Sequence, residues 1–390
     1  SASLGVTKAA LYHHFRSKEE ILDTMYDTFF EDISDCLRTP FEEILDRMEH
    51  GADIQQAFKL FLRVNTEITV FFTSKPWYFI FALIKVHGNK ILTPKFSACM
   101  RERGLDVEKL KQIVYSVNEK NIYPSPVRLI FSATICIMAQ SLRMMLVKKL
   151  PNINALEITK KIDDFIRHGI GFREEKIRAL NWEALEKAAA WREPAGGGGG
   201  RRKWLIKAAA SVVAAVGPWS ASMAMVAEKS GLSKSGLYAH FVSKHDMLCQ
   251  LFIGEFEDVI QHAQAVSRMS DIPEEQLYLA IRAIEGFLTS EPEFLAAISA
   301  LKMRRIDFNK MNNLHKDTHE YHSRLIQIFS CIKNTSGEAL IDETMTTVIL
   351  FILTDILIQK PASMDYKSIP NESFRIFYKF IALGIGDDDF

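Results

Sequence analysis

The sequence predicts an all-α protein made of two tandem copies of one unit. Apolar residues recur at helical spacing along most of its 390 residues. No run of period-two alternation is bounded by hairpin turns, so no sheet is expected. A fourteen-residue pattern that starts at Gly5 returns at Gly231, an offset of 226. Two occurrences in phase are a repeat.

Residues 231–244 read as a tight turn, a short helix, a second turn and the start of a long helix. Gly231 can take the positive φ that the first turn needs. Ser233 is a good N-cap. Leu237 and Phe241 lie four apart and bury on one face, while Lys234, Ser235, Tyr238 and His240 fall away from it. Ser243 caps the next helix, with Asp246 three residues on approximating a capping box. A short helix with a polar, partly basic outer face suits the recognition helix of a helix-turn-helix.

The same order stands at residues 5–18, where Gly5, Lys8, Leu11, Tyr12, His14, Phe15, Ser17 and Lys18 meet their counterparts. Ser1 aligns with Ala227, so a counterpart of residues 201–226 does not precede it. A recognition helix this short needs covering helices over Leu11 and Phe15. The expectation is that the natural protein supplies them ahead of Ser1, with a degenerate first domain as the alternative.

A long amphipathic helix follows over 19–37, through Ile21, Leu22, Met25, Phe29, Ile33 and Leu37, with Ser17 and Glu20 as its capping box. After Pro40, helices are predicted over 41–47, 53–72, 76–86 and 107–117, then 127–149 and 155–170 beyond a break at 121–126. Residues 182–191 form a last helical stretch. Pro194 and the glycines at 196–200 are a flexible linker. In the second copy 203–216 is helix one, Gly217 and Pro218 end it, and Ser222 caps helix two. Thr73-Ser-Lys-Pro76 matches Thr289-Ser-Glu-Pro292, and Phe165 to Gly171 matches Phe380 to Gly386. The offset drifts from 226 to 215, so the second copy lacks about ten residues early in its helical body. The predicted organisation is a partial helix-turn-helix domain (1–39), a helical domain (40–192), the linker (193–200), a second helix-turn-helix domain (201–256) and a second helical domain (257–390).

The pattern resembles the DNA-binding domain of the tetracycline-repressor (TetR) family, whose signature runs roughly A-x-x-A-G-V-S-x-x-x-L-Y-x-H-F-x-S-K. The resemblance implies that Thr7, Lys8 and Ala9, and Ser233, Lys234 and Ser235, face the major groove. Tyr12 and His14, with Tyr238 and His240, would reach the DNA backbone. Lys18 and Lys244 sit in the first turn of a helix, where a cation opposes the helix dipole, which makes sense if a phosphate is held there. The alternative for the lysines is a solvated surface. The copies differ in Thr-Lys-Ala-Ala against Ser-Lys-Ser-Gly and in His13 against Ala239. Ala224 and Met225 stand where the family usually has a polar or charged pair. Gly236 costs about 1 kcal/mol relative to alanine in a helix but allows close backbone approach to DNA.

Behind each head the resemblance implies a regulatory and dimerising helical domain with an effector pocket. Candidate lining residues are Phe72, Trp77 and Phe81 in the first copy and Phe287, Phe294 and Met303 in the second; the plain alternative is ordinary core. The last two helices of each copy would pair as a four-helix bundle within one chain, an intramolecular pseudo-dimer, with a homodimer as the alternative.

Charge fits that picture. The totals cancel at 48 basic and 48 acidic residues, yet residues 201–244 hold seven Lys/Arg against one acid, Glu228. Residues 1–18 hold Lys8, Arg16 and Lys18 and no acid. Basic ends on a neutral body suit contact with phosphates along one edge. Five scattered cysteines without a CxxC argue against a disulfide framework or zinc finger and for a reducing cytoplasm. The apolar runs at 130–142 and 346–358 are short or interrupted by Asp355 and read as core helices, so no membrane partner is expected. His315, His319 and His322 share a helix face and form a weak metal candidate, but i to i+7 spans about 10 Å, too far for one ion to take all three. No catalytic constellation and no cofactor motif occurs. The expected function is a repressor that binds a DNA operator and is released by a small hydrophobic or amphipathic effector. The rival is a helical small-molecule-binding protein with vestigial DNA-binding motifs.

Overall fold

The computed structural model describes residues 13–50, 54–82, 92–106, 108–109, 124–148, 155–189, 200–302, 327–334, 336–358 and 368–385. Among them the regular structure is helical, and the one β feature is an isolated bridge between Lys333 and Ala339. The chain divides into two units, one within 1–121 and 154–159, the other within 122–153 and 160–390.

The first unit holds α1 (Lys18–Glu49), α2 (Ile54–Ser74), α3 (Pro76–Phe81) and α4 (Leu92–Glu102). Helix α1 runs unbroken through Pro40, where the sequence predicted a stop. Proline deletes one N–H from the ladder. Here the buried stripe of Phe29, Ile33, Leu37, Pro40 and Ile44 continues at helical spacing, and that burial outweighs the lost hydrogen bond. Helix α4 is absent from the sequence-based expectation, because only Phe96 and Met100 mark its apolar face. It is fixed to α1 by the pairs Lys95–Asp27 and Arg103–Asp35, each at 2.8 Å.

The second unit starts with α5 (Pro126–Lys148) and takes in all but the first turn or so of α6 (Ala155–His168). It continues through α7 (Glu174–Arg178), α8 (Trp182–Ala188), α9 (Arg201–Ser220), α10 (Met223–Lys229), α11 (Lys234–Tyr238) and α12 (Lys244–Ser267). It ends with α13 (Pro273–Ser290), α14 (Pro292–Lys302), α15 (Glu343–Ile358) and α16 (Asn371–Leu383). This division does not follow the repeat: α5 and most of α6 come from the first copy and lie in the second unit. Helices α5 and α15 are the two apolar runs, and no described helix is long and apolar enough to cross a membrane.

The repeat is visible atom by atom at the junctions before the two prolines. Lys75 has φ −129°, ψ 64° and Glu291 has φ −123°, ψ 69°. Ser74 and Ser290 donate to the carbonyls of Phe71 and Phe287, each at 2.8 Å. The Lys75 amide donates to Phe71 at 3.0 Å, the Glu291 amide to Phe287 at 3.1 Å. The charge differs, and so does what it holds: Lys75 pairs with Asp32 of α1, Glu291 with Lys207 of α9. Helix α12 has 24 residues against the 32 of α1, in line with the shortened second copy.

Helices α6 and α16 cross at a matched pair of glycines. The Ile170 amide donates to the Ile381 carbonyl at 2.9 Å, and the Ile385 amide donates to the Ile166 carbonyl at 2.6 Å. Since Ile381 and Ile385 stand 215 after Ile166 and Ile170, each bond is the two-fold image of the other. Phe165 and Phe380, also 215 apart, meet edge to face at 5.8 Å. Gly169 (φ 56°) and Gly384 (φ 72°) sit where a Cβ would fall 2.4 Å from the Ile381 carbonyl oxygen and from the Arg167 carbonyl carbon, respectively. Only glycine permits that approach.

A buried polar clamp holds the loop before α16 to α13. Glu285, 1% exposed, accepts from the Ile369 amide at 2.7 Å, and Arg282 donates to the Ile369 carbonyl at 2.8 Å. Burial pushes the Glu285 carboxyl above its ordinary value of 4.5, against the pull of Arg282 and the Ile369 amide. A carboxyl whose folded pKa is raised favours folding most below its unfolded pKa, and that contribution is lost as pH rises through the raised value. Wild-type stability from this group therefore falls as pH rises from about 4.5 through the raised value. Glu285→Gln, neutral throughout, is expected to flatten that part of the slope. Urea midpoints of both proteins at about pH 5 and pH 7 check it; parallel pH profiles would remove Glu285 as the cause.

Candidate nucleic-acid interface

The second head is built by α9 to α12. Gly217 (φ 76°, ψ 159°) breaks the helical path inside α9, the sequence-predicted stop. The Ser222 hydroxyl accepts from the Met225 amide at 3.2 Å and starts α10, which buries Met223, Val226 and Ala227. Gly231 (φ 61°) makes the turn, with the Leu232 amide donating to the Ala227 carbonyl at 2.9 Å. The Ser233 hydroxyl accepts from the Gly236 amide at 3.1 Å and caps α11. A Cβ at Gly236 would stand 3.2 Å from that hydroxyl, so glycine also leaves room for the cap.

Leu237 and Phe241 are buried as predicted, at 0% and 1% exposure. Ser233, Lys234, Ser235 and Tyr238 are exposed, and His240 and Lys244 are partly so. The capping box at α12 is reciprocal: the Asp246 amide donates to the Ser243 hydroxyl at 3.0 Å, and the Val242 amide donates to Asp246 Oδ2 at 2.8 Å. Asp246 also accepts from Gln250 at 2.7 Å through Oδ1, and Gln250 accepts from Arg202 at 2.6 Å. This relay joins the basic start of α9 to the start of α12. Sequence reasoning misses it, because nothing local in either helix signals a contact 48 residues away.

The first head shows the same box. The Glu20 amide donates to the Ser17 hydroxyl at 3.2 Å, and the Arg16 amide donates to Glu20. His14 and Lys18 are exposed. Thr7, Lys8, Ala9 and Tyr12 lie outside the described residues. The two heads differ at the exposed turn position, Arg16 in one and Val242, 86% exposed, in the other.

The second head is tied to its own helical body. Helix α9 packs on α14 and α12 on α13, and Lys207 pairs with Glu291 at the α13–α14 junction.

The candidate effector residues are placed as follows. In the first unit Phe72 packs against Phe71 and Phe79, each at 5.2 Å, and Phe81 meets Tyr26 at 5.2 Å and Phe29 at 5.7 Å. Trp77 is 66% exposed, so in this structure it does not stand inside that cluster; it occupies the first turn of α3, whose Phe79, Ile80 and Phe81 are buried. Phe287 and Phe294 meet edge to face at 5.7 Å in the second unit. Met303 and the row His315, His319 and His322 lie outside the described residues. Among the described residues, no group of three His, Cys, Asp or Glu could hold a metal ion.

The capped turn and short helix of the second head, with its exposed polar face, have the form of a helix-turn-helix. The model for bacterial regulatory proteins of the tetR family matches residues 1–25 and 205–251. Those two segments are where the chain is similar to the tetR family, and each contains one copy of the repeated motif. Among curated proteins none matches it. Solved structures similar to it include the fatty acid degradation regulator FadR from Bacillus halodurans, at 14% identity and TM-score 0.37, covering 49% of this chain and 96% of that one. The transcriptional regulator FadR from Bacillus subtilis, solved with stearoyl-CoA, has 17% identity and TM-score 0.37 over 47% of this chain and 98% of that one. PfmR from Thermus thermophilus, a TetR-family regulator, has 17% identity and TM-score 0.31 over 46% of this chain and 96% of that one.

Proposed function

We propose that this chain is a sequence-specific transcriptional repressor of the cytoplasm that grips a DNA operator with two unlike heads. The observation that carries the reading is the outer face of α11, where Ser233, Lys234, Ser235 and Tyr238 stand exposed on a capped five-residue helix. Groove contacts fall to Lys234 and Ser235 and, in the first head, to Thr7, Lys8 and Ala9. Backbone contacts fall to Tyr12, His14, Lys18, Tyr238, His240 and Lys244. Because α6 and α16 cross by a two-fold rule within one chain, the working form is a single-chain pseudo-dimer, and its operator is an imperfect palindrome. A small hydrophobic or amphipathic effector, held among aromatic residues such as Phe72, Phe81, Phe287 and Phe294, would release the DNA. The packing of α9 on α14 offers a route by which effector occupancy biases the heads.

A salt series of binding to fragments of its own promoter region tests the reading. Tight binding with a steep negative salt slope is expected, with Lys234→Ala and Ser235→Ala altering sequence preference. No retention on any fragment at low salt would leave the rival, a small-molecule-binding protein with vestigial heads.

A further inference from the structure

The bundle that joins the two copies carries a charge pattern that tells unlike helices from like ones. Helix α5 meets α15 antiparallel. Arg128, near the start of α5, pairs with Asp355, near the end of α15, at 3.1 Å, and Gln140 donates to the Thr344 carbonyl at 3.4 Å. Ser132 donates to Asp355 at 2.7 Å, which satisfies more of the carboxylate. The pair is largely withdrawn from solvent, with side chains 27% and 11% exposed.

The sequence of α5 holds Arg128, Arg143 and Lys148 and no acid; that of α15 holds Glu343 and Asp355 and no base. The same crossing made between two α5 helices would bring Arg128 to an end that carries only further cations. Made between two α15 helices, it would bring Asp355 to an end that carries Glu343. Both helices also bury uncharged Ile and Leu side chains, which offer no charge to tell one choice from the other. A withdrawn charge is costly unless paired, and discrimination between partners needs such a penalty on the wrong one.

We infer that α5 and α15 are surfaces built for each other, and that Arg128 and Asp355 are the residues that exclude like-with-like pairing between chains. This rests on the single-chain arrangement proposed above and adds that the pairing is specified by charge as well as by the tether.

The test uses the full chain in sedimentation over a concentration series. Wild type is expected at its single-chain mass of 44.4 kDa. Arg128→Asp sets two acids face to face in the unlike pair and gives α5 a partner in the cations of a second α5. It should form a species of twice that mass, with an association constant raised at least about tenfold. Arg128→Met with Asp355→Leu removes both charges and should return to the single-chain mass, held by apolar packing and the linker. If Arg128→Asp sediments as wild type, or the apolar pair associates as strongly as Arg128→Asp, the inference is overturned. Should Arg128→Asp not fold, Asp355→Asn replaces it: its melting midpoint should lie below that of the apolar pair, and a midpoint equal to wild type overturns the inference. A wild-type chain at twice the mass would instead overturn the single-chain reading itself.

Discussion

Gly384→Ala should destabilise the second unit by about 3–5 kcal/mol, near the upper end of what one substitution does. Gly384 has φ 72° and ψ −152°, a region essentially confined to glycine, where a side chain alone costs roughly 1–3 kcal/mol. The added Cβ would also stand 2.4 to 2.6 Å from three backbone atoms of residues 166–168. Backbone cannot rotate away as a side chain can, so α6 and α16 must separate and give up the bonds Ile170–Ile381 and Ile385–Ile166. Gly171 is the internal control. It has φ 84° but nothing within 4 Å of its would-be Cβ, so Gly171→Ala should cost only about 1 kcal/mol of conformational strain. Chemical denaturation compares the two. Equal losses would mean that the crossing contributes no more than backbone conformation.

Tyr238→Ala with Lys244→Ala should weaken DNA binding about tenfold to a hundredfold on every sequence alike, since a charge-assisted contact is worth about 1.5–3 kcal/mol. The salt slope should fall by roughly 0.9 for the lost lysine. Binding isotherms at two salt concentrations read both effects. A change of sequence preference without a change of slope would place these side chains off the phosphates. The corresponding changes at Tyr12 and Lys18 are expected to differ in size, because the first head would keep an exposed cation, Arg16, at the position where the second has Val242.

Most of the second head was legible because its caps and turn are local, whereas the Arg202–Gln250 contact was not. Caps, the turn glycine and the Leu237–Phe241 face lie within about a dozen residues, and each leaves a residue-type signature. The two core runs that became α5 and α15 were legible from apolarity alone. Pro40 misled, because its local penalty was visible and the buried stripe continuing to Ile44 was not. Helix α4 was silent, having too few apolar residues to set a period. Among the candidate effector residues, aromatic clustering could be read along the chain but exposure could not, and Trp77 stands out in solvent. The crossing of α6 and α16 showed only as a repeated Phe…Gly pattern; that the two glycines touch each other is a fact of three dimensions.

The placement of α5 also bears on how the chain is made. Its partner α15 follows some two hundred residues later, and Arg128 and Asp355 are 227 apart in sequence. At a synthesis rate of about 5–20 residues per second, α5 waits on the order of 10–40 s before α15 and α16 exist. During that time a stripe of Leu129, Ile130, Ala133, Ile137 and Met138, buried in the finished protein, has no permanent cover. Contacts of such sequence separation slow the search for the native state and prolong exposure to aggregation. A tether between two copies would bring the partner within reach yet deliver it some two hundred residues later, so a nascent chain is most exposed to chaperones and to its neighbours on the polysome just before α15 emerges.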